Sequence, residues 1–443
     1  MIGIRREDKN RWERRVPLTP DHVAVLRREH GVEVRVQPSP LRCYPDPAYR
    51  AVGAEVAEDL AGCGVVLGVK EVPLDRMIAG TTYVYFAHVL KGQPSNMPML
   101  RRLMDLGCSL VDYEKVTDDR GRRLIFFGRH AGYAGMIDTL HALGRRLERE
   151  GIETPFAAIR LAHEYADLDE VRDALDRVGD AIRHDGIPPE LHPLVVGITG
   201  TGNVSQGAIE MFSELPWEDV SPDDLADLAG DRDRPRNILY RVVLDGADRV
   251  AREDGAPYDD ADFRANPARY RNTMARHLPY LTVLVNGIYW APGMPRVASK
   301  EELRALWSGP TPPRLRVIGD ISCDLEGSIE ATMRITTPGD PFFVWNPDTD
   351  RETSGIEGKG PVILAVDNLP CEIPVDASQY FGDALVRFIP ALGRCDFDAP
   401  LDSLALPPEI RRALILHRGR LTPEFAYLER HVDAEAPRRG GSA

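Results

Sequence analysis

Cysteine is scarce and scattered in this chain. The 443 residues hold six (Cys43, Cys63, Cys108, Cys323, Cys371 and Cys395), and no two form a C-x-x-C pair. That spacing favours reduced thiols in a cytoplasmic protein over a disulfide framework or a zinc site. No apolar run approaches the length of a membrane span, and the first residues carry no apolar signal region, so neither a membrane nor a secretory route is expected. Positive charge is in deficit: 55 Lys and Arg against 69 Asp and Glu leave a net charge of −14. This argues against nucleic acid or an anionic membrane as the main partner, although local arginine clusters can still hold small acidic substrates. His163-Glu164 lacks an H-E-x-x-H continuation or a cysteine partner, so no metal is expected. Internal repeats are also missing.

What remains is ordinary globular material, 43% hydrophobic and 28% charged, enough for two or three domains. Its organising stretch is Leu194 to Leu215. The apolar run Leu194 to Ile198 has strand length and β-branched content. Gly200 and Gly202 allow a sharp turn and a close approach of backbone to ligand. Asn203, Val204 and Ser205 then open a helix whose free N–H groups suit a pyrophosphate. The pattern is G-x-G-x-x-S, with Ser205 small enough to keep helix and strand together. Alone it is an ordinary βα turn; between a strand and a helix it predicts dinucleotide binding.

Before it, Gly64 to Glu71, Thr82 to His88 and Ser109 to Glu114 read as strands alternating with helices, which implies a parallel sheet. Ligands in such sheets bind beyond the carboxyl ends of strands, and Lys70, His88 and Glu114 each sit near such an end. A desolvated lysine has a lowered pKa and a carboxylate such as Glu71 raises it again, so Lys70 suits acid/base work. Histidine as a residue type suits proton transfer at neutral pH, which makes His88 a second candidate. Taken singly, a strand-end lysine is a surface ion pair and a strand-end histidine a structural residue; their pairing is what points to chemistry. Arg14, Arg15 and Arg123 are forks for carboxylates if they border this rim.

Further expectations concern organisation. Glycines 128, 132 and 135 punctuate a region whose helix is expected from about Ala134 to Glu150. Glu58 to Ala61 is expected as a short helix, and the chain after Leu392 as helical fragments. Trp217 to Val220 should be the second strand of the nucleotide fold, with residues 221 to 280 as decoration. An acidic residue about 20 positions after the glycine turn favours NAD, and an arginine favours NADP. Glu218, Asp219, Ser221, Asp223, Arg232, Arg234 and Arg236 leave both open.

Several motifs then converge, in order, over nearly the whole chain. They are Arg5-Arg-Glu with Trp12-Glu-Arg-Arg-Val-Pro-Leu, Leu67-Gly-Val-Lys70, Phe86-Ala-His88, Asp112-Tyr-Glu114-Lys, Gly200-Thr-Gly-Asn-Val-Ser and Asn286-Gly-Ile-Tyr-Trp290. Asp320-Ile-Ser322, Gly327-Ser-Ile-Glu330 and Asp367-Asn-Leu-Pro370 complete the set. Together they resemble the lysine-ketoglutarate reductase half of aminoadipic semialdehyde synthase and, more distantly, the lysine-forming saccharopine dehydrogenases and the alanine dehydrogenase/transhydrogenase fold.

The resemblance implies an α/β protein of two Rossmann-like domains, their parallel sheets flanked by helices, with an interdomain cleft. Residues 1–165 and 375–443 would form the substrate domain, and 185–374 a dinucleotide domain with its insert at 221–280. It implies condensation of L-lysine with 2-oxoglutarate and reduction to saccharopine by NADPH, with NADH as the alternative. Lys70 and His88 would take the acid/base positions, Glu71 and Glu114 the tuning carboxylates, and Arg15 and Arg123 the substrate carboxylates. Asp320, Ser322, Asn368 and Leu369 would join the glycine turn at the cofactor. With the chain ending at Ala443, a monofunctional enzyme is expected, with oligomerisation left open. The alternatives are an NAD-linked lysine-forming saccharopine dehydrogenase, or a related reductive aminase with another amino donor, and a non-catalytic dinucleotide sensor.

Overall fold

The computed structural model describes residues 1–231 and 233–434. Arg232, one of the arginines weighed for the cofactor, and the Arg438-Arg439 tail lie outside the described residues. The chain forms two compact units, Met1–Phe127 with the chain from Pro374 onward, and Gly128–Ile373. Residues 128–165, expected with the first domain, therefore belong by packing to the second unit.

The first unit is built on an eight-stranded sheet. Its strands are β1 (Ile2–Ile4), β2 (Val34–Val36), β3 (Glu55–Val56), β4 (Val65–Leu67), β5 (Thr82–Tyr85), β6 (Ser109–Asp112), β17 (Leu414–His417) and β18 (Arg420–Leu421). Their order is β18-β17-β6-β5-β4-β1-β2-β3. The six N-terminal strands run parallel, and β1, β4, β5 and β6 are buried at every position. That continuous burial is why they read as unbroken apolar runs rather than alternating ones. The C-terminal β17 and β18, expected as helical fragments, add an antiparallel edge beside β6. Glu58 to Ala61, expected as a helix, is not helical. The helix Pro20–His30 begins where expected and stops at Gly31, whose φ of 63° needs no Cβ.

The second unit carries another eight-stranded sheet, of order β15-β14-β16-β13-β12-β7-β9-β8. Its strands are β7 (Val195–Thr199), β8 (Trp217–Asp219), β9 (Leu239–Leu244), β12 (Val283–Asn286), β13 (Val317–Asp320), β14 (Phe342–Asn346), β15 (Arg351–Ser354) and β16 (Val362–Leu364). A small antiparallel ribbon joins β10 (Val250–Arg252) to β11 (Tyr270–Asn272). Trp217–Asp219 forms a strand as expected, but at the exposed edge of the sheet, and β7 lies between β12 and β9. The stretch 221–280 is thus only partly decoration, since it supplies β9 to the main sheet.

The helix Gly128–Arg149 starts earlier than its composition suggests. Glycine is a poor helix former, which is why the expected start lay near Ala134. Its glycines are explained by a neighbour: a Cβ on Gly132 would sit 2.0 Å from the Val204 carbonyl oxygen, and one on Gly207 would sit 2.1 Å from the Arg129 carbonyl oxygen. The long helix and the glycine-turn helix Asn203–Phe212 therefore pack backbone to backbone. No helix among the described residues is long and apolar enough to cross a membrane.

Candidate functional site

In the first unit, β6, β5, β4 and β1 are consecutive neighbours and parallel, so the chain leaves all four at one edge. Lys70 and Glu71 follow β4, His88 follows β5, Asp112 ends β6 just before Glu114, and Glu7 follows β1. The sheet thereby gathers on one rim residues spread over more than a hundred positions of sequence.

Two of the expected residues form a direct pair. Glu71 Oε1 lies 2.6 Å from His88 Nδ1, and Glu71 Oε2 accepts from Lys9 Nζ at 3.0 Å. Burial opposes a charge on Glu71, but the His88 hydrogen bond and the Lys9 ammonium outweigh it and hold its pKa at about 2. His88 has a φ of 50°, a left-handed conformation uncommon for a residue with a Cβ. It is kept there by Asn96, whose Nδ2 donates to the Ala87 carbonyl at 3.3 Å and to the His88 carbonyl at 3.1 Å. The imidazole also stacks on Phe86, with centroids 6.3 Å apart and an interplanar angle of 20°.

Lys70 stands beside this pair. Burial lowers its pKa, and the nearby Arg15 cation lowers it further. Its backbone N–H and that of Val69 both donate to Glu7, at 3.0 and 2.7 Å. Glu7 is buried, and burial outweighs Arg5 and those two donors to push its pKa to about 7. Asp112 is likewise raised to about 7 by burial, while it accepts from the Glu114 N–H at 2.9 Å and the Ala87 N–H at 3.3 Å. Buried carboxyls thus brace the turns that present Lys70 and His88.

Two of the expected arginines, Arg15 and Arg123, are engaged within the unit, whereas the buried Nε of Arg14 has no hydrogen-bond partner among the described residues. Arg15 is 2% exposed and makes a bidentate pair with Glu13, Nε to Oε1 at 2.7 Å and Nη2 to Oε2 at 2.6 Å. Its guanidinium lies 4.4 Å from the centroid of the Phe127 ring. Arg123 pairs with Glu114 at the surface. Glu7, Glu13, Asn96 and Asp112 went unnoticed in the sequence as site residues. The sole hint was the alternation of like-spaced acids and arginines in Arg5-Arg-Glu7 and Glu13-Arg-Arg15.

In the second unit the glycine turn has the form its sequence implies. Gly200 has a φ of 80°, and a Cβ on Gly202 would meet nothing within 4 Å. The helix beginning at Asn203 has no side-chain cap, so its first N–H groups, those of Asn203, Val204 and Ser205, are available to an anion. This open, uncapped helix start fits a dinucleotide pyrophosphate. Ser205 is fully buried and donates to the Thr199 carbonyl at 2.8 Å, tying helix to strand, while the close helix contact falls to Gly207.

Asp320 and Ser322 stand at the end of β13 in a closed network. Asn286 Nδ2 donates to Asp320 at 2.9 Å, Ser322 Oγ donates to it at 2.6 Å, and Thr332 Oγ1 donates at 2.6 Å. Asn286 also accepts from Thr199 Oγ1 at 2.8 Å, which links the network to the end of β7. Asp320 is fully buried, so it braces strand ends rather than presenting an open carboxylate. Leu369 is a core residue that packs near Gly135, and Asn368 precedes the short turn Leu369–Glu372.

Comparison with known proteins agrees with this architecture. Residues 3–134 match the family described as "Alanine dehydrogenase/PNT, N-terminal domain". A solved L-alanine dehydrogenase superposes with a TM-score of 0.62 at 18% identity, covering 98% of this chain and 99% of its own. The fold is therefore of the alanine dehydrogenase/transhydrogenase class, an α/β arrangement of two mostly parallel sheets. In sequence the chain is 35% identical to mouse mitochondrial alpha-aminoadipic semialdehyde synthase over 97% of its length, and it spans 48% of that protein. It is 27% identical to the "Saccharopine dehydrogenase [NAD(+), L-lysine-forming]" of Emericella nidulans, over 87% of this chain and 90% of that one. The chain thus spans about half the length of the aminoadipic semialdehyde synthase it matches, and at lower identity it is similar to a lysine-forming saccharopine dehydrogenase over most of both chains.

Proposed function

We propose that this protein interconverts L-lysine plus 2-oxoglutarate with saccharopine, using a nicotinamide dinucleotide. The observation that carries this reading is the rim itself: Lys70, its pKa lowered by burial, stands next to a Glu71–His88 pair 2.6 Å apart. Joining an amine to a ketone needs a base to deprotonate the amine and an acid to protonate the departing hydroxyl. A lysine whose pKa is lowered by burial is a readier base than a solvated one, and an imidazole oriented through Nδ1 delivers or receives a proton at Nε2. Arg123, half exposed beside Glu114, is the arginine placed to meet a substrate carboxylate, while Arg15 is held by Glu13.

Gly200, Gly202 and the N–H groups of Asn203 to Ser205 would hold the pyrophosphate, and the bound dinucleotide supplies the hydride. The resemblance implies NADPH; the choice between it and NADH turns on the residue beside the glycine turn. The six cysteines are free thiols, which suits a reducing compartment, the cytoplasm in our reading.

The test is a steady-state assay of purified protein with lysine plus 2-oxoglutarate and each of NADH and NADPH, and with saccharopine and each oxidised form. Turnover in one of these four supports the proposal. Silence in all four, by a protein that still binds dinucleotide, favours a sensor.

A further inference from the structure

The strand order of the second unit locates a residue that the sequence count misplaces. Thr199, the last residue of β7, is in register with Leu244, the last residue of β9. The Gly200 N–H donates to the Leu244 carbonyl at 2.8 Å. Asp245, the first residue beyond β9, is thus a neighbour of the glycine turn. In a dinucleotide fold this strand end borders the adenosine ribose, where a carboxylate accepts from the 2′-hydroxyl. The usual interval of about 20 residues from turn to acid fails here, because β8 and the helix Leu225–Gly230 come before β9.

The Asp245 side chain is oriented by its own turn. Its Oδ1 accepts from the Ala247 N–H at 2.8 Å and the Asp248 N–H at 3.4 Å, and Asp248 Oδ2 accepts from the Asp245 N–H at 3.0 Å. No cation can follow it directly, since a Cβ on Gly246 would lie 2.2 Å from the Tyr258 hydroxyl oxygen. Among the described residues, Arg234 and Arg236, both considered for a 2′-phosphate, and the nearby Arg241 are committed elsewhere. Arg234 pairs with Glu218 at 3.2 Å, Arg236 donates to the Ile187 carbonyl at 3.0 Å, and Arg241 holds Asp219 at 2.8 Å. Arg249 is near enough to interact with Asp245, but Asp248 faces it too, so its charge is offset.

We infer that Asp245 makes this protein selective for NADH, its carboxylate accepting from the ribose 2′-hydroxyl and repelling a 2′-phosphate. The inference rests on the dinucleotide reading of the glycine turn and departs from the NADPH that the resemblance implies. It is tested by titrating the purified protein with NADH and with NADPH, without substrate, following nicotinamide fluorescence. NADH should bind at least about tenfold more tightly, because facing like charges is a strong way to reject a ligand. Asp245→Asn keeps an oxygen for the Ala247 N–H and should narrow the ratio to about threefold or less; Asp245→Ala, checked by its thermal melt, should do the same. Equal or tighter binding of NADPH by the natural protein, or an unchanged ratio in both variants, overturns the inference. Binding of neither dinucleotide overturns the dinucleotide site itself. Tight, Asp245-dependent NADH binding without lysine turnover supports Asp245's role while refuting the proposed reaction.

Discussion

The Oε1 atom of Glu71 meets the Nδ1 atom of His88 at 2.6 Å, and this pair leaves Nε2 as the imidazole nitrogen that Glu71 does not engage. Glu71 is held as an anion down to a pH of about 2, so it stabilises imidazolium throughout the working range. Replacing it with glutamine removes that stabilisation. Glu71→Gln should lower kcat by about 10²–10⁴ with dinucleotide affinity unchanged. An unchanged kcat would remove Glu71 from the proton path.

Lys70 offers a test that separates charge from basicity. Burial and Arg15 favour its neutral amine, the form that accepts a proton. Lys70→Met should cost about 10²–10⁴ in kcat. Lys70→Arg should not restore it, because a guanidinium stays protonated. Full activity in the arginine variant would show that only the positive charge matters.

The raised carboxyls make a stability prediction whose sign is definite. Burial raises Glu7 and Asp112 to pKa values of about 7 in the fold, from ordinary values of 4.5 and 3.8. Between the unfolded values and 7 the folded protein binds more protons than the unfolded one, so stability falls as pH rises through that window. The slope is at most about 1.4 kcal/mol per pH unit for each group. Chemical denaturation at pH 5 and pH 8 should show the first unit weaker at pH 8, and Glu7→Gln with Asp112→Asn should flatten the difference. Equal midpoints at both pH values in the natural protein would contradict the protonated state of these groups.

Such residues also mark the limit of what the sequence discloses. Lys70, His88 and the glycine turn were legible because each closes an apolar run, and the ends of parallel strands share an edge. Glu7, Glu13 and Asn96 were not, because their partners are brought to them by the sheet. Glu7 meets Lys70 only where β1 lies beside β4, and Asn96 meets His88 only where the turn folds back. Strand order was equally hidden. Trp217 to Val220 follows the glycine-turn helix in sequence, yet β9 takes the place beside β7. β17 escaped notice because a short apolar run, Leu414 to His417, fits a buried strand and a helix turn equally well, and its partner β6 lies some three hundred residues earlier.

The glycine pair between the two long helices should be intolerant of any side chain. A methyl on Gly207 would fall 2.1 Å from the Arg129 carbonyl oxygen, which is backbone and cannot swing aside. Gly207→Ala should destabilise the protein by about 1–3 kcal/mol despite alanine's better helix propensity. Because the displaced helix carries Asn203 to Ser205, dinucleotide affinity should fall as well. A more stable variant with unchanged affinity would show that the helices are not in contact there.

Arg15 and Arg123 carry the same expectation from sequence but stand in different surroundings, so one comparison distinguishes support from binding. Arg15 is 2% exposed and locked to Glu13, whereas the Arg123 side chain is 53% exposed beside Glu114. Removing one partner of a buried pair strands the other charge and costs about 3–5 kcal/mol, while an exposed pair contributes about 1 kcal/mol or less. Arg15→Ala should therefore lower the melting temperature sharply, and Glu13→Gln should do so too, whether or not substrate is present. Arg123→Ala should leave the melt nearly unchanged and raise KM for 2-oxoglutarate, with kcat and dinucleotide affinity preserved. If Arg15→Ala melts normally and changes only KM, its pairing with Glu13 yields to substrate and it binds the dicarboxylate directly. If Arg123→Ala alters neither KM nor stability, its pair with Glu114 is only a surface contact and the substrate's carboxylates are held elsewhere.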